Sequence, residues 1–276
     1  MLHQIIIWLS WIFSTTLIPM VNKITCIANQ KGGVGKTTTA INLAASLAAA
    51  EKKTLLIDCD PQANASSGLG IERITSQTKN LYHALIGDVS LDAVICGSPI
   101  PTLEVVPASQ DLIGAEIEFI ALEDREKRLR QSIHAMDREY DFVIIDCPPS
   151  LGLLTVNALV AADDVIVPLQ CEYFAMEGLG HLLNTIRLIK ARLNPSLALA
   201  GILLTMFDVR NRLSHLVAED VKNHFGEKVF KTVIQRNVRL SESPSHGLPI
   251  MLYDIKSRGA IAYLDLAKEI LSDGRA

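Results

Sequence analysis

Apolar residues in this chain fall into two kinds of run. Short β-branched runs occupy 24–28, 54–57, 103–106, 142–145, 165–168 and 199–204. Most are continuous rather than alternating, which predicts strands buried on both faces. Longer stretches with apolar spacings of three and four lie between them: 38–50, rich in Ala and Leu; 124–138, charged and amphipathic; and 176–193. Short strand followed by longer helix is the sequence form of a parallel sheet covered by helices. The expected fold class is therefore α/β, a single doubly wound, mostly parallel sheet with helices on both faces. No Pro/Gly/Ser-rich linker, internal repeat or low-complexity block divides the series, so residues 20–274 are expected to form one domain.

One further apolar run, 5–18, has no Lys or Arg before it and ends at Pro19. It is shorter than the about 20 residues that span a bilayer and lacks the positive flank of a signal peptide. Residues 1–19 are accordingly expected to be an extension outside the fold, with Met20 standing just ahead of the first strand. A membrane anchor is the competing interpretation.

Composition narrows the function classes. The 276 residues carry a formal net charge of −4, so nucleic acid cannot be coated by bulk charge, and any DNA contact needs a local patch. The five cysteines never form a C-x-x-C pair, which argues against a zinc ribbon or a disulfide framework and fits a reducing compartment. Cys26, Cys59 and Cys147 sit in or beside strand runs and read as small core residues. No pair of histidines has a metal-ligand spacing.

The chemistry concentrates after the first strand. Asn29 and Gln30 lead into Lys31, Gly32, Gly33, Val34, Gly35, Lys36, Thr37 and Thr38, and an Ala-rich helix follows at once. Glycines let backbone N–H groups turn inward around phosphate oxygens, and the helix N-terminus adds its positive dipole end. Lys36 is placed to meet β- and γ-phosphates, and the Thr37 hydroxyl to coordinate Mg. The usual phosphate-loop spacing has glycine five positions before Gly35; Gln30 stands there instead, and a second lysine, Lys31, heads the loop.

The segment KGGVGKTT, residues 31–38, resembles the deviant Walker A motif of the ParA/MinD superfamily of P-loop ATPases. LIDCDPQ at 56–62 looks like the next block of that family, and FVIIDCPP at 142–149 like its Walker B strand. Further stretches at 148–152, 167–172, 205–208, 236–242 and 253–254 are similar to the ParA/Soj branch, extending the resemblance from Lys23 to about Ile270. Gln235, where proline often precedes the Arg-Asn pair, and Ser243, where alanine is common, depart from the pattern.

What the resemblance implies is a slow, partner-stimulated Mg-dependent ATPase with ATP and Mg as cofactors. An aspartate at the carboxyl end of a buried strand lies where open α/β sheets bind ligands, so Asp146 is expected to hold a water of the Mg shell. By resemblance, Asp60 polarises the attacking water and Asp58 supports the metal shell. Lys31 reaches across a homodimer that sandwiches ATP, as an arginine finger does in trans. Adenine is expected near Met206, Phe207 and the 234–236 loop. Family members of this branch bind DNA non-specifically as ATP-bound dimers, act at the nucleoid in the cytoplasm and respond to a ParB-type centromere-binding protein. Chromosome and plasmid both remain open as cargo.

Between Thr205 and Arg258 there are nine Lys/Arg against six Asp/Glu, a local excess in an acidic chain. Arg210, Arg236 and Arg239 are the DNA-binding candidates, with Arg212 and Arg258 nearby; a solvated face is the plain alternative. The second functional reading is a membrane-positioning ATPase of the MinD type, whose basic amphipathic C-terminal helix lies on lipid. Here 259–272 has one Lys against two acids and reads as a core-packing helix, so a membrane is not the expected partner.

Overall fold

The computed structural model describes residues 23–71, 79–119 and 122–272; the 1–19 extension and Met20 lie outside them. In chain order the elements are β1 (Lys23–Ile27), α1 (Lys36–Ala49), β2 (Thr54–Asp58), α2 (Asn64–Gly68), α3 (Leu81–Ile86), β3 (Cys96–Gly97), β4 (Leu103–Val106) and α4 (Leu112–Glu118). They continue with α5 (Arg128–His134), β5 (Phe142–Asp146), α6 (Leu153–Ala161), β6 (Asp164–Gln170), α7 (Ala175–Arg192), β7 (Ala198–Phe207) and α8 (Arg212–Phe225). The last are β8 (Val229–Gln235), α9 (Val238–Glu242), α10 (Ile250–Tyr253) and α11 (Arg258–Ser272).

The strands form one sheet in the order β3-β4-β2-β5-β1-β6-β7-β8. All neighbours are parallel except β3, which pairs antiparallel to β4. Alternate side chains feed two cores. Cys26, Leu55, Ile57, Val143, Ile145, Val165 and Val167 face one; Ile27, Leu56, Phe142, Ile144 and Ile166 face the other. Both faces are dry, which is why the strand segments read as unbroken apolar runs.

On the second face α1 lies against the sheet with α11 packed on it. Twelve of its fourteen residues are buried, and the small side chains of Ala40, Ala44, Ala45 and Ala48 permit this close approach. The Thr39 hydroxyl lies 3.2 Å from the Tyr263 phenol, and Asn42 Oδ1 accepts the Ile250 N–H at 2.8 Å. The helix that carries the phosphate loop is thus held on every side. The 259–272 segment does pack into the core, burying Tyr263, Leu264, Leu266 and Ile270.

At one sheet edge the buried Glu269 carboxylate accepts the Lys231 N–H at 2.8 Å, the Thr232 N–H at 3.0 Å and the Thr232 hydroxyl at 2.7 Å. At the other edge β3 is only two residues long.

Three elements differ from expectation. β8 is absent from the expected strands because Lys231 and Thr232 interrupt its apolar run, and β3 is too short to give a pattern. The helix expected over 124–138 is a 3-10 turn, Arg125–Lys127, followed by the seven-residue α5. Asp124 is left-handed at φ 55°, and the side chain of Asn157 on α6 takes the turn's backbone, accepting from Leu129 N–H and donating to the Arg125 carbonyl.

Candidate nucleotide site

β1 ends at the carboxyl edge of the sheet, and the chain turns there through Gly33 (φ 74°) and Gly35 (φ 88°). A side chain in this left-handed region costs about 1–2 kcal/mol, so glycine suits both positions. Two neighbouring strands clamp the loop. Asn29 donates its Nδ2 to the Pro168 carbonyl of β6 at 2.7 Å and accepts the Lys31 N–H at 3.0 Å, while Thr205 of β7 donates its hydroxyl to the Val34 carbonyl at 2.8 Å. Val34 and Lys36 are buried, whereas Lys31, Gly32 and Gly33 are exposed.

Lys36 is 6% exposed and donates from Nζ to the Lys31 carbonyl at 3.1 Å. Burial pushes its pKa down, opposed by Asp146, Cys147 and Asp60. The register of the parallel strands sets Asp58 of β2 beside Asp146 of β5, and Asp146 beside Ile27 of β1. Three strand ends therefore bring two carboxylates to the phosphate loop.

Asp146 is fully buried, and neither carboxylate oxygen has a well-formed hydrogen bond. Burial raises its pKa well above the usual carboxylate range, and the Asp58 charge adds to this. The nearby Thr37 hydroxyl opposes the rise, Asp60 reinforces it, and Lys36 again opposes it. Asp58 is buried too, but its oxygens are engaged. Oδ1 accepts the Asp60 N–H at 3.1 Å; Oδ2 accepts the Ser66 N–H at 2.8 Å and the Ser66 hydroxyl at 2.7 Å. Its pKa rises to about 6 through burial, despite those hydrogen bonds. Asp58 thereby anchors the loop that carries Asp60. Asp60 is 6% exposed, and its Oδ1 accepts the Gln62 N–H at 3.0 Å.

Carboxylate and hydroxyl oxygens suit a hard divalent cation, and Asp146 holds unsatisfied acceptors beside Thr37. Among the described residues no group of three His, Cys, Asp or Glu could hold a metal by itself. A cation here needs further ligands, as Mg does when it shares a site with bound phosphates.

Met206 closes the site on the β7 side with a left-handed backbone (φ 49°), and its methyl lies 3.9 Å from where a Cβ on Gly35 would stand. The Phe207 carbonyl accepts the Arg236 N–H at 3.1 Å, joining this strand end to the 234–236 loop. Thr38 follows Thr37 in the first turn of α1, half-buried, and its carbonyl accepts the Asn42 side chain. Lys31 points away from the loop and pairs with Glu172 Oε2 at 2.5 Å; the other Glu172 oxygen accepts from Gln170.

The arginine candidates are exposed, and Arg210 and Arg239 are paired with acids. Arg210 pairs with Asp208 at 3.2 Å, and Arg236 also lowers the Asp208 pKa, after the larger effect of Arg210. Arg239 pairs with Glu242 at 2.9 Å and Asp254 at 3.6 Å and lies over the Tyr253 ring. Sequence reasoning assigned no role to Asn29, Ser66, Glu172 and Thr205. They carry no motif spacing of their own; Asn29, Glu172 and Thr205 act through partners far along the chain, and Ser66 through Asp58, eight residues before it.

An open parallel sheet with this loop at the carboxyl end of a central strand is the architecture of the P-loop nucleotide hydrolases, and two lysines in one loop narrow it to the deviant Walker A class. A family model described as an AAA domain matches residues 22–199. The chain is 56% identical to the chromosome partitioning protein ParA of Myxococcus xanthus over 251 residues, covering 91% of this chain and 88% of that protein. It is 55% identical to the sporulation initiation inhibitor protein Soj of Bacillus subtilis, covering 91% and 99%. Among solved structures it resembles cobyrinic acid a,c-diamide synthase from Mycobacterium smegmatis with bound ADP and magnesium, at TM-score 0.81 and 37% identity over 93% of this chain and 96% of that one. The septum site-determining protein MinD of Pyrococcus horikoshii with Mg-ADP matches at TM-score 0.74 and 26% identity, over 93% and 99%. The chain belongs to the ParA/Soj family of the ParA/MinD superfamily.

Proposed function

We propose that this protein is a Mg-ATP-dependent switch of chromosome or plasmid partitioning, dimeric and DNA-bound with ATP and released by hydrolysis. The observation that carries the reading is the buried, unsatisfied Asp146 beside Thr37 and Lys36, with the exposed Lys31 at the loop's outer face. It is supported by relatives named as partitioning proteins and by a solved relative holding ADP and magnesium.

In this reading the loop N–H groups and Lys36 hold the phosphates, and Thr37 and Asp146 would hold Mg, Asp146 through water. That ion would neutralise charge on the γ-phosphate. Asp60, fixed by the Asp58 to Ser66 anchor, orients the attacking water, and Lys31 supplies positive charge to the phosphates of a second copy. Met206 and Phe207 border the adenine. Arg210, Arg236 and Arg239 supply the DNA contacts, and a ParB-type protein stimulates hydrolysis at the nucleoid. Against the MinD-like alternative stands the burial of Tyr263, Leu264, Leu266 and Ile270 of α11 in the core, which leaves that helix no such apolar face for lipid.

The test is a gel shift on non-specific DNA with ATP, with ADP and without nucleotide, at two salt concentrations. Binding should require ATP, weaken with salt and fall in Arg239→Ala. ATP hydrolysis with no DNA binding in any state would leave the ATPase and remove the DNA reading.

A further inference from the structure

Lys31 has to leave its own subunit if it is to serve a second one, and in this structure it is held. Its Nζ sits on Glu172 Oε2, while Glu172 Oε1 accepts from Gln170 at the end of β6. The backbone beneath is fixed as well, because Lys31 N–H is bound by Asn29 and Asn29 by the Pro168 carbonyl of the same strand. Both side chains of the pair are about half exposed, Lys31 at 42% and Glu172 at 47%, so an incoming anion can compete for the lysine. The next two residues, Tyr173 and Phe174, are 76% and 67% exposed and stacked edge to face at 5.0 Å. Two large aromatic side chains left in water beside the phosphate loop are the kind of surface that a protein partner covers.

Resting on the sandwich-dimer reading above, we propose that Glu172 is a positioning residue that parks Lys31 on its own subunit, and that dimerisation releases the lysine to the phosphates of the second copy. Gln170 presents the carboxylate, and Tyr173 and Phe174 meet the second copy as the latch opens. The latch raises the nucleotide concentration needed for dimerisation and so keeps the undimerised chain from pairing prematurely.

An exposed ion pair weighs roughly 1.4- to fivefold in an equilibrium, and each dimer opens two of them. Glu172→Gln keeps the shape and removes the charge. With the non-hydrolysable analogue AMP-PNP and Mg, sedimentation equilibrium should give a dimer dissociation constant about tenfold lower than wild type. The analogue's affinity for the monomer, titrated on dilute protein, and the thermal melt without nucleotide should not change. The gain should vanish when Glu172→Gln is combined with Lys31→Ala. Unchanged or weaker dimerisation of Glu172→Gln, or a gain that survives Lys31→Ala, overturns the latch while leaving the sandwich dimer in place. A wild type that binds the analogue and stays monomeric overturns the sandwich itself.

Discussion

Replacing Asp146 with Asn should make the nucleotide-free protein more stable and the nucleotide-bound protein relatively less so. The side chain is fully buried, and neither oxygen has a well-formed hydrogen bond. Burial and the Asp58 charge outweigh the relief offered by Thr37 and Lys36, so the folded pKa lies well above the usual value. A carboxyl with a raised folded pKa costs nothing below its unfolded pKa, and the cost grows as pH climbs toward the folded value. An uncompensated buried charge costs several kcal/mol, whereas an unsatisfied neutral amide costs about 1–3 kcal/mol. The difference leaves Asp146→Asn ahead by on the order of 1–3 kcal/mol near neutral pH. Each kcal/mol is worth roughly 2–4 °C in melting midpoint for a chain of this size. Adding Mg-ATP at a hundred times its dissociation constant should stabilise wild type by about 2.7 kcal/mol and the variant far less. Scanning calorimetry at pH 5 and pH 8, with and without Mg-ATP, reads all four states. A variant that melts below wild type without nucleotide, or that gains as much from Mg-ATP, would show that Asp146 is structural and refute the reasoning.

Other parts of the site give separate outcomes. Asp60→Ala should retain ATP and the dimer and lose most turnover, because Asp60 bonds only to its own loop; a phosphate-release assay with unchanged rate would remove its role. Thr205→Val deletes the tether to Val34 and leaves a buried carbonyl unpaired, which costs about 1–3 kcal/mol. Its ATP dissociation constant should rise several-fold in calorimetric titration, and an unaltered affinity would mean that the loop holds its shape without β7. The raised pKa of Asp58, about 6, is a cost that grows from its unfolded pKa near 4 up to about pH 6. Urea unfolding should therefore show wild type losing up to about 3 kcal/mol relative to Asp58→Asn across that interval, and parallel pH profiles would contradict this.

Much of this architecture was legible because the signals are local. Val143 and Val165 stand in runs that are apolar on every residue, Ile24 in one broken only by Thr25, and the loop from Lys31 to Thr38 states its chemistry in eight consecutive positions. β8 was not legible, because its central residues Lys231 and Thr232 are polar and Glu269, 37 positions on from Thr232, supplies what an edge strand otherwise lacks. The 124–138 segment has helical periodicity, yet Asn157 takes up its first turn from another helix. The same holds within the site. Lys36 and Asp146 were readable from motif and strand, whereas the grip of Thr205 on Val34 spans 171 residues and the Glu172 pairing with Lys31 spans 141. The sequence pattern names the groups that do chemistry and misses the groups that hold them still.

The two borders of the sheet limit how copies of this protein can associate. A strand edge recruits another chain through its row of free N–H and C=O groups, but here one border is a two-residue strand and the other has consecutive N–H groups capped by a helix carboxylate. Neither offers an incoming strand a long uninterrupted row of free groups. The copies are left to meet through side chains, so their pairing can be made and undone with a ligand instead of hardening into a continuous β-structure.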